Sequence, residues 1–263
     1  MRSTTYFAKI AGGAVLGLLA GIAAAQPTHP MQSLPTTTNP VSERVRPFEF
    51  GVHAQGGFGV TEDRGGFKFF MVGVHAGKVL TSMSGHGLLR GNFELGMEAF
   101  PLWQSYTPVM QRQNCLLVAG TSATYSCSAL FNIGGTFTGI SITPDILRWN
   151  FAGTKHWSPW VQGAGGLVWT NHKYPAFGGP LADSPGSIVQ VPPSAIGNNG
   201  SNDNTSVFNF TPQFGVGVHY FLHGDRSIDF GANAIHISSA SLGDKNPGVN
   251  ASVQFSLGYS WWK

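Results

Sequence analysis

Charge is scarce in this chain: Asp, Glu, Lys and Arg together supply 10% of its 263 residues. Cysteine is scarcer still, with only Cys115 and Cys127. Beyond residue 25 there is no unbroken apolar run long enough for a transmembrane helix, which takes about 20 residues. That excludes a helical membrane protein. Low charge without such helices leaves two classes, a β-sandwich or a membrane β-barrel.

What is present begins at the N-terminus. Arg2 and Lys9 precede an apolar stretch from Ile10 to Ala20, which closes on Ala23-Ala24-Ala25 before Gln26. This is the pattern of a cleaved secretory signal peptide over residues 1–25. A membrane anchor is the alternative, but the run is broken by glycine, short, and ends in small residues. Removing the signal takes away two basic and no acidic residues, so the formal charge falls from +3 to +1 (3 − 2). The basic pI is therefore no sign of a nucleic-acid partner, and none is expected. Residues 26–46, rich in Pro and Thr and without periodicity, read as a flexible periplasmic leader. In an exported chain, Cys115 and Cys127, set in a polar Thr/Ser/Gln segment, read as a local disulfide bracing a loop. Two thiols in a metal site are the alternative, but no paired His or Cys spacing supports a metal, and none is expected.

Gly numbers 36 and Phe 19, and the phenylalanines fall into long period-two runs. Phe48, Phe50, Val52, Ala54, Phe58 and Val60 interleave with Glu49, Gly51, His53, Gln55, Gly57 and Gly59. The same alternation recurs over 208–220 and 251–261, and 67–80, 91–102, 130–143, 159–171 and 226–238 are further candidates. About eight strands result, several longer than globular strands usually are. An even number of long strands, apolar on one side and polar or glycine on the other, predicts an eight-stranded antiparallel outer-membrane β-barrel over residues 47–263. A β-sandwich also alternates. The strand lengths, the aromatic last strand and a glycine-rich polar side that suits a narrow filled lumen favour the barrel.

Connections alternate in length, as short periplasmic turns and long outer loops require. Segments 82–86 and 222–226 are short, whereas 103–129, 172–205 and 239–249 are expected as outer loops. The polar set should line the lumen, with His53, His75 and His219 on it, and the apolar set should face lipid. His86, His172 and His223 fall in loops or turns. Trp103, Trp160, Trp169, Trp261 and Trp262 are expected in interfacial belts.

The last hairpin breaks the lipid-facing rule. Phe230, Ala232, Ala234, His236 and Ser238 share one face of a strand, so a base and a hydroxyl lie side by side at its outer end. Unpaired polar groups in hydrocarbon cost roughly several kcal/mol, so their presence needs a reason, and catalysis on a lipid is one. Side chains at i and i+2 lie roughly 7 Å apart at their Cα atoms, within reach for a histidine to activate a serine.

The segment from Ala234 to Asn250, with His236-Ile237-Ser238-Ser239-Ala240 at its head, resembles the signature of the lipid A 3-O-deacylase (PagL) family, also called acyloxyacyl hydrolases. The resemblance implies that Ser238 is the nucleophile, His236 its general base, and Asn246 an oxyanion contact. It also implies an outer-membrane location, lipid A or lipopolysaccharide of the outer leaflet as substrate partner, loss of the 3-O-linked hydroxyacyl chain as the reaction, and no cofactor. Two positions depart from the pattern. Ser239 stands where the family usually has Asn, which alters an oxyanion or positioning contact. Asn250 stands where some members carry the Glu that orients the imidazole. Asparagine can hold a histidine tautomer but offers no charge to the imidazolium. Alternation sends Asn250 lumenward with Ser252, so a bulge would be needed for it to face His236, and Asp244 is a nearby acid that could substitute. A non-enzymatic barrel using its outer loops for adhesion or interaction is the alternative function, and a small porin-like channel a further one.

Overall fold

Eleven strand segments follow one another in a computed structural model that describes residues 39–61, 64–117, 125–127, 129, 131–174, 188–191, 206–222, 225–239 and 250–263. They are β1 Phe48–Gly59, β2 Lys68–Val79, β3 Gly91–Leu117, β4 Tyr125–Cys127, β5 Phe131–Phe151 and β6 Trp157–Tyr174. After these come β7 Ile188–Val191, β8 Ser206–Phe210, β9 Gln213–Phe221, β10 Arg226–His236 and β11 Ala251–Trp262. The sheet runs β2-β1-β11-β10-β9-β6-β5-β3 and closes where β2 pairs β3. Short β4 and β7 attach to the far end of β3, and β8 prolongs the wall strand begun by β9, so 11 − 2 − 1 leaves a closed antiparallel barrel of eight strands. The barrel expected from alternation is the fold observed. The signal peptide and most of the leader lie outside the described residues.

The third and fourth wall strands reach well past the expected 91–102 and 130–143. Much of the segment expected as an outer loop at 103–129 is strand, because β3 runs on to Leu117. The period-two signal fails there for a local reason. The β3–β5 register shifts between Gly96 and Glu98, between Phe100 and Trp103, and between Thr107 and Met110. The last two intervals contain Pro101 and Pro108, which cannot donate to a ladder and are accommodated at bulges. Opposite Pro108, Gly134 has φ +84°, and a Cβ there would collide with the Pro108 carbonyl oxygen. The bulge and the glycine require each other.

Inside, the barrel is layered. At the end carrying the short turns, Arg148 Nη1 donates to Glu49 Oε2 at 2.9 Å, and His75 Nε2 lies 3.1 Å from the same oxygen. Asn150 Nδ2 donates to Glu94 Oε2 at 2.7 Å, and His219 Nδ1 meets Asp229 Oδ1 at 2.7 Å. A belt of amides lies above. Arg148 Nε donates to Gln162 at 3.0 Å, Gln162 to Asn233 at 3.2 Å, Asn233 to Gln55 at 3.4 Å and Gln55 to Gln254 at 3.0 Å. Toward the long loops the inward positions turn apolar, with Phe67, Phe69, Trp103, Phe137, Tyr174, Ile235 and Ile237 buried together. Trp103 and Tyr174 meet edge to face with centroids 5.4 Å apart.

Three expectations are corrected by this interior. The lumen is not polar throughout, since its outer third is an aromatic plug. Trp103, Trp160 and Trp262 are 2%, 5% and 0% exposed and lie inside, not in interfacial belts. Trp262 is drawn in because its Nε1 donates to Ser227 Oγ at 3.0 Å. Trp169, 60% exposed, does face outward. His172, expected in a loop, lies in β6 and is exposed. His75 and His219 are lumenal, as the alternation predicts.

The leader is folded where it approaches the barrel, contrary to the expectation of a flexible segment through residue 46. Asn39 caps a single helical turn, α1 (Pro40–Glu43), by accepting the Ser42 amide at 3.3 Å, with Pro at the first helical position. Val41 packs against Val79, Phe221 and Trp262, and its carbonyl accepts Asn92 Nδ2 at 2.7 Å. The turn covers the floor of the lumen.

Candidate functional site

Along β10 and the residues that follow it, Ser227, Asn233, Ile235, Ile237 and Ser239 are buried on the inward face, while Phe230, Ala234, His236 and Ser238 lie on the outward face. His236 and Ser238 are half-buried and share that face, as the alternation predicts. Their backbone is held from both sides. The His236 amide donates to the Pro212 carbonyl at 3.0 Å. Ser238 and Phe210 exchange both main-chain bonds, at 2.9 and 2.6 Å. On the other flank the Ile237 amide donates to the Asn250 carbonyl at 2.9 Å. The two residues thus sit on a fixed ladder, with the aromatic plug behind it through Ile235 and Ile237.

Apolar residues surround the pair on the outside. Phe208, 40% exposed, pairs in register with Trp169 on β6, and its ring meets Phe210 edge to face at 5.7 Å. Phe214, 58% exposed, pairs with Ala234. Lys68, exposed at the loop end of β2, lies in the transverse row that runs from Ala234 through Val253 and Phe58. A half-buried base and hydroxyl framed by outward aromatic rings suit a substrate that has both an apolar chain and a polar head.

The remaining expected site residues are not all gathered here. Asn250 is 1% exposed and lies on the inward face with Ser252 and Gln254. Its carboxamide lies inside the barrel beside the Tyr174 hydroxyl. The contact with the histidine comes from the main chain: His236 Nδ1 is 3.1 Å from the Asn250 carbonyl oxygen. Residue identity carries no signal for that contact, since every residue has such a carbonyl. Ser239 is fully buried on the inward side, so its hydroxyl is turned away from the outward pair. Asn246 and Asp244 lie outside the described residues.

Cys115 and Cys127 are direct partners in the β3–β4 register. Opposed residues of an antiparallel pair have Cα atoms about 4.5–5.5 Å apart, within the span of a disulfide. Sequence spacing offers no metal motif, yet the fold brings Glu49, His219 and Asp229 together, and Glu49 with His75 and Glu94. Both groups lie on the lumen floor, away from His236 and Ser238. The Arg148 guanidinium already pairs with both Glu49 and Glu94 there.

The family model of lipid A 3-O-deacylase (PagL) matches residues 119–260, more than half of the 263-residue chain. The chain belongs to the lipid A 3-O-deacylase family. With the closed barrel, this membership makes it an outer-membrane protein related to lipid A deacylases. Among solved structures it is similar to the outer membrane enzyme PagL, at 15% identity and a TM-score of 0.39, covering 80% of this chain and 98% of that one. It is also similar to Neisserial surface protein A, at 13% identity and a TM-score of 0.42, covering 81% and 96%. OprG of Pseudomonas aeruginosa gives 10% identity and a TM-score of 0.38, covering 83% and 96%. No curated protein matches the chain in sequence.

Proposed function

We propose that this chain is a serine esterase of the outer leaflet that removes the 3-O-linked hydroxyacyl chain of lipid A. The observation that supports the reading most is the shared outward position of His236 and Ser238 on a braced ladder within an apolar, aromatic surface. A site on the outer wall is open to a lipid moving laterally, whereas the filled lumen offers such a substrate no entry.

In this reaction Ser238 Oγ attacks the ester carbonyl while its proton passes to His236 Nε2. The tetrahedral oxyanion collapses with cleavage of the ester C–O bond, and His236 gives the proton to the departing sugar 3-oxygen, which leaves as the free hydroxyl. Water, deprotonated by the same imidazole, then attacks the acyl-serine and releases the hydroxy fatty acid, restoring Ser238. Main-chain amides near Ser238 and the Asn246 side chain are the proposed oxyanion donors. With its hydroxyl turned inward, Ser239 acts on the placement of the strand and not on the oxyanion. The signal peptide over residues 1–25 and the Cys115–Cys127 disulfide belong to the same proposal, since both follow from export. No cofactor enters any step.

Purified barrel in detergent, incubated with lipid A of defined acylation, should release one 3-hydroxy fatty acid per lipid, with the residual lipid carrying a free 3-hydroxyl. An ester-directed fluorophosphonate should label Ser238. Release of acid from another position, or labelling elsewhere, would refute the assignment. The pore reading is disfavoured by the interior, where the amide belt and the aromatic cluster fill the lumen; one cavity, lined by Glu49, His75, Arg148, Asp229 and Ser260, measures about 40 Å³, room for a few waters.

A further inference from the structure

We infer that the group orienting the imidazole is the main-chain carbonyl of Asn250, and that the Asn250 carboxamide takes no part in the chemistry. This deepens the esterase reading and rests on it. The Asn250 carbonyl oxygen lies 3.1 Å from His236 Nδ1 and also accepts the Ile237 amide at 2.9 Å. A carbonyl oxygen has no proton to give, so Nδ1 supplies the hydrogen of this bond. In the neutral ring that leaves Nε2 as a bare lone pair, the form a general base for Ser238 requires. One backbone atom thus fixes both the tautomer and the orientation of the ring.

The side chain is in the wrong place to do the same work. Asn250 follows the inward parity of Ser252 and Gln254, and its carboxamide lies beside Tyr174, whose hydroxyl is 3.0 Å from Ser105 Oγ inside the barrel. His236 is on the outward face, with the thickness of the sheet between them. A glutamate at position 250 would therefore project toward the aromatic plug. The missing acid is accounted for on this geometry: holding a tautomer needs an acceptor in the right place, and the ladder provides one whatever the side chain. The ladder bond from the Ile237 amide holds the Asn250 carbonyl in register, while the side chain packs in the lumen.

The test compares the parent barrel with Asn250→Ala, Asn250→Glu and Ser238→Ala in two readouts. These are kcat for lipid A deacylation and the ¹⁵N NMR shifts of the His236 ring nitrogens, assigned with His236→Gln. Expected are a kcat within about threefold of the parent for Asn250→Ala, no gain for Asn250→Glu, and an Nδ1-protonated, Nε2-bare neutral ring in both parent and Asn250→Ala. A hundredfold loss in a folded Asn250→Ala barrel, a rate gain with Asn250→Glu, or an Nε2-protonated ring in the parent would overturn the inference. If the parent does not hydrolyse lipid A, the esterase reading fails while the tautomer still decides this one. If Asn250→Ala does not fold, Asn250→Ser takes its place under the same criteria.

Discussion

On the floor of the lumen, Glu49, Glu94, His75 and Arg148 are buried as a charged network, with Arg148 Nη1 2.9 Å from Glu49 and 3.5 Å from Glu94. At the other end the same inward faces carry Phe67, Phe69, Trp103, Phe137 and Tyr174. Both ends are filled, but they differ in tolerance. A charged network fails when one partner is removed, because the other charge is stranded, and it survives when all members are neutralised together. An aromatic plug loses stability roughly in proportion to the volume deleted. His236 and Ser238 are placed outside the aromatic end. There the ladder and the packed rings hold the wall behind them in place.

The sharpest way to separate chemistry from packing is Ser238→Ala, which should lower deacylation by at least about a thousandfold. Its urea unfolding midpoint should stay within the change of about 0.5 kcal/mol usual for surface substitutions. At the floor the balance reverses. Arg148→Ala should cost about 3–5 kcal/mol in the same unfolding measurement, by leaving Glu49 and Glu94 without their cation. The triple variant Glu49→Gln, Glu94→Gln, Arg148→Met should recover most of that loss. Equal damage from the triple variant would show that the floor is held by shape and not by charge balance.

Smaller effects follow. Cys115→Ser with Cys127→Ser should reduce stability by at most about 3 kcal/mol if the two are bonded across their short hairpin. Alkylation followed by mass analysis should find both thiols blocked until a reductant is added. Asn39→Ala removes the cap of α1 and the 2.8 Å bond to the Thr154 carbonyl, and should cost about 1 kcal/mol. Its expected sign is faster exchange of the Ser42, Glu43 and Arg44 amides with the barrel otherwise unchanged.

How far the sequence could be read tracks the same division. Where strands run without interruption, as in β1, β10 and β11, alternation gives the faces correctly, down to the outward placement of His236 and Ser238. It fails in β3 and β5 because the bulges around Pro101 and Pro108 reset the parity, which hides the inward Trp103 and the length of the hairpin. Trp262 was misplaced for another reason. A terminal tryptophan reads as an interface anchor by residue type, yet the parity of β11 puts position 262 inward with Ser252, Gln254 and Ser260, and there its indole N–H donates to Ser227. The folded turn at 39–44 is too short for periodicity, although Asn39-Pro40 is a start signal that could have marked it. The carbonyl beside His236 could not have been read at all, because a backbone acceptor leaves no trace in residue identity.

The measurement that bears most directly on the central claim is mass spectrometry of lipid A from a host expressing the chain or its Ser238→Ala variant, with folding of both verified by heat-modifiable migration. Expected are lipid A lighter by one hydroxyacyl chain with the parent and unaltered lipid A with the variant. Unaltered lipid A in both, from folded barrels, would contradict the claim and leave a family member whose barrel persists without the reaction.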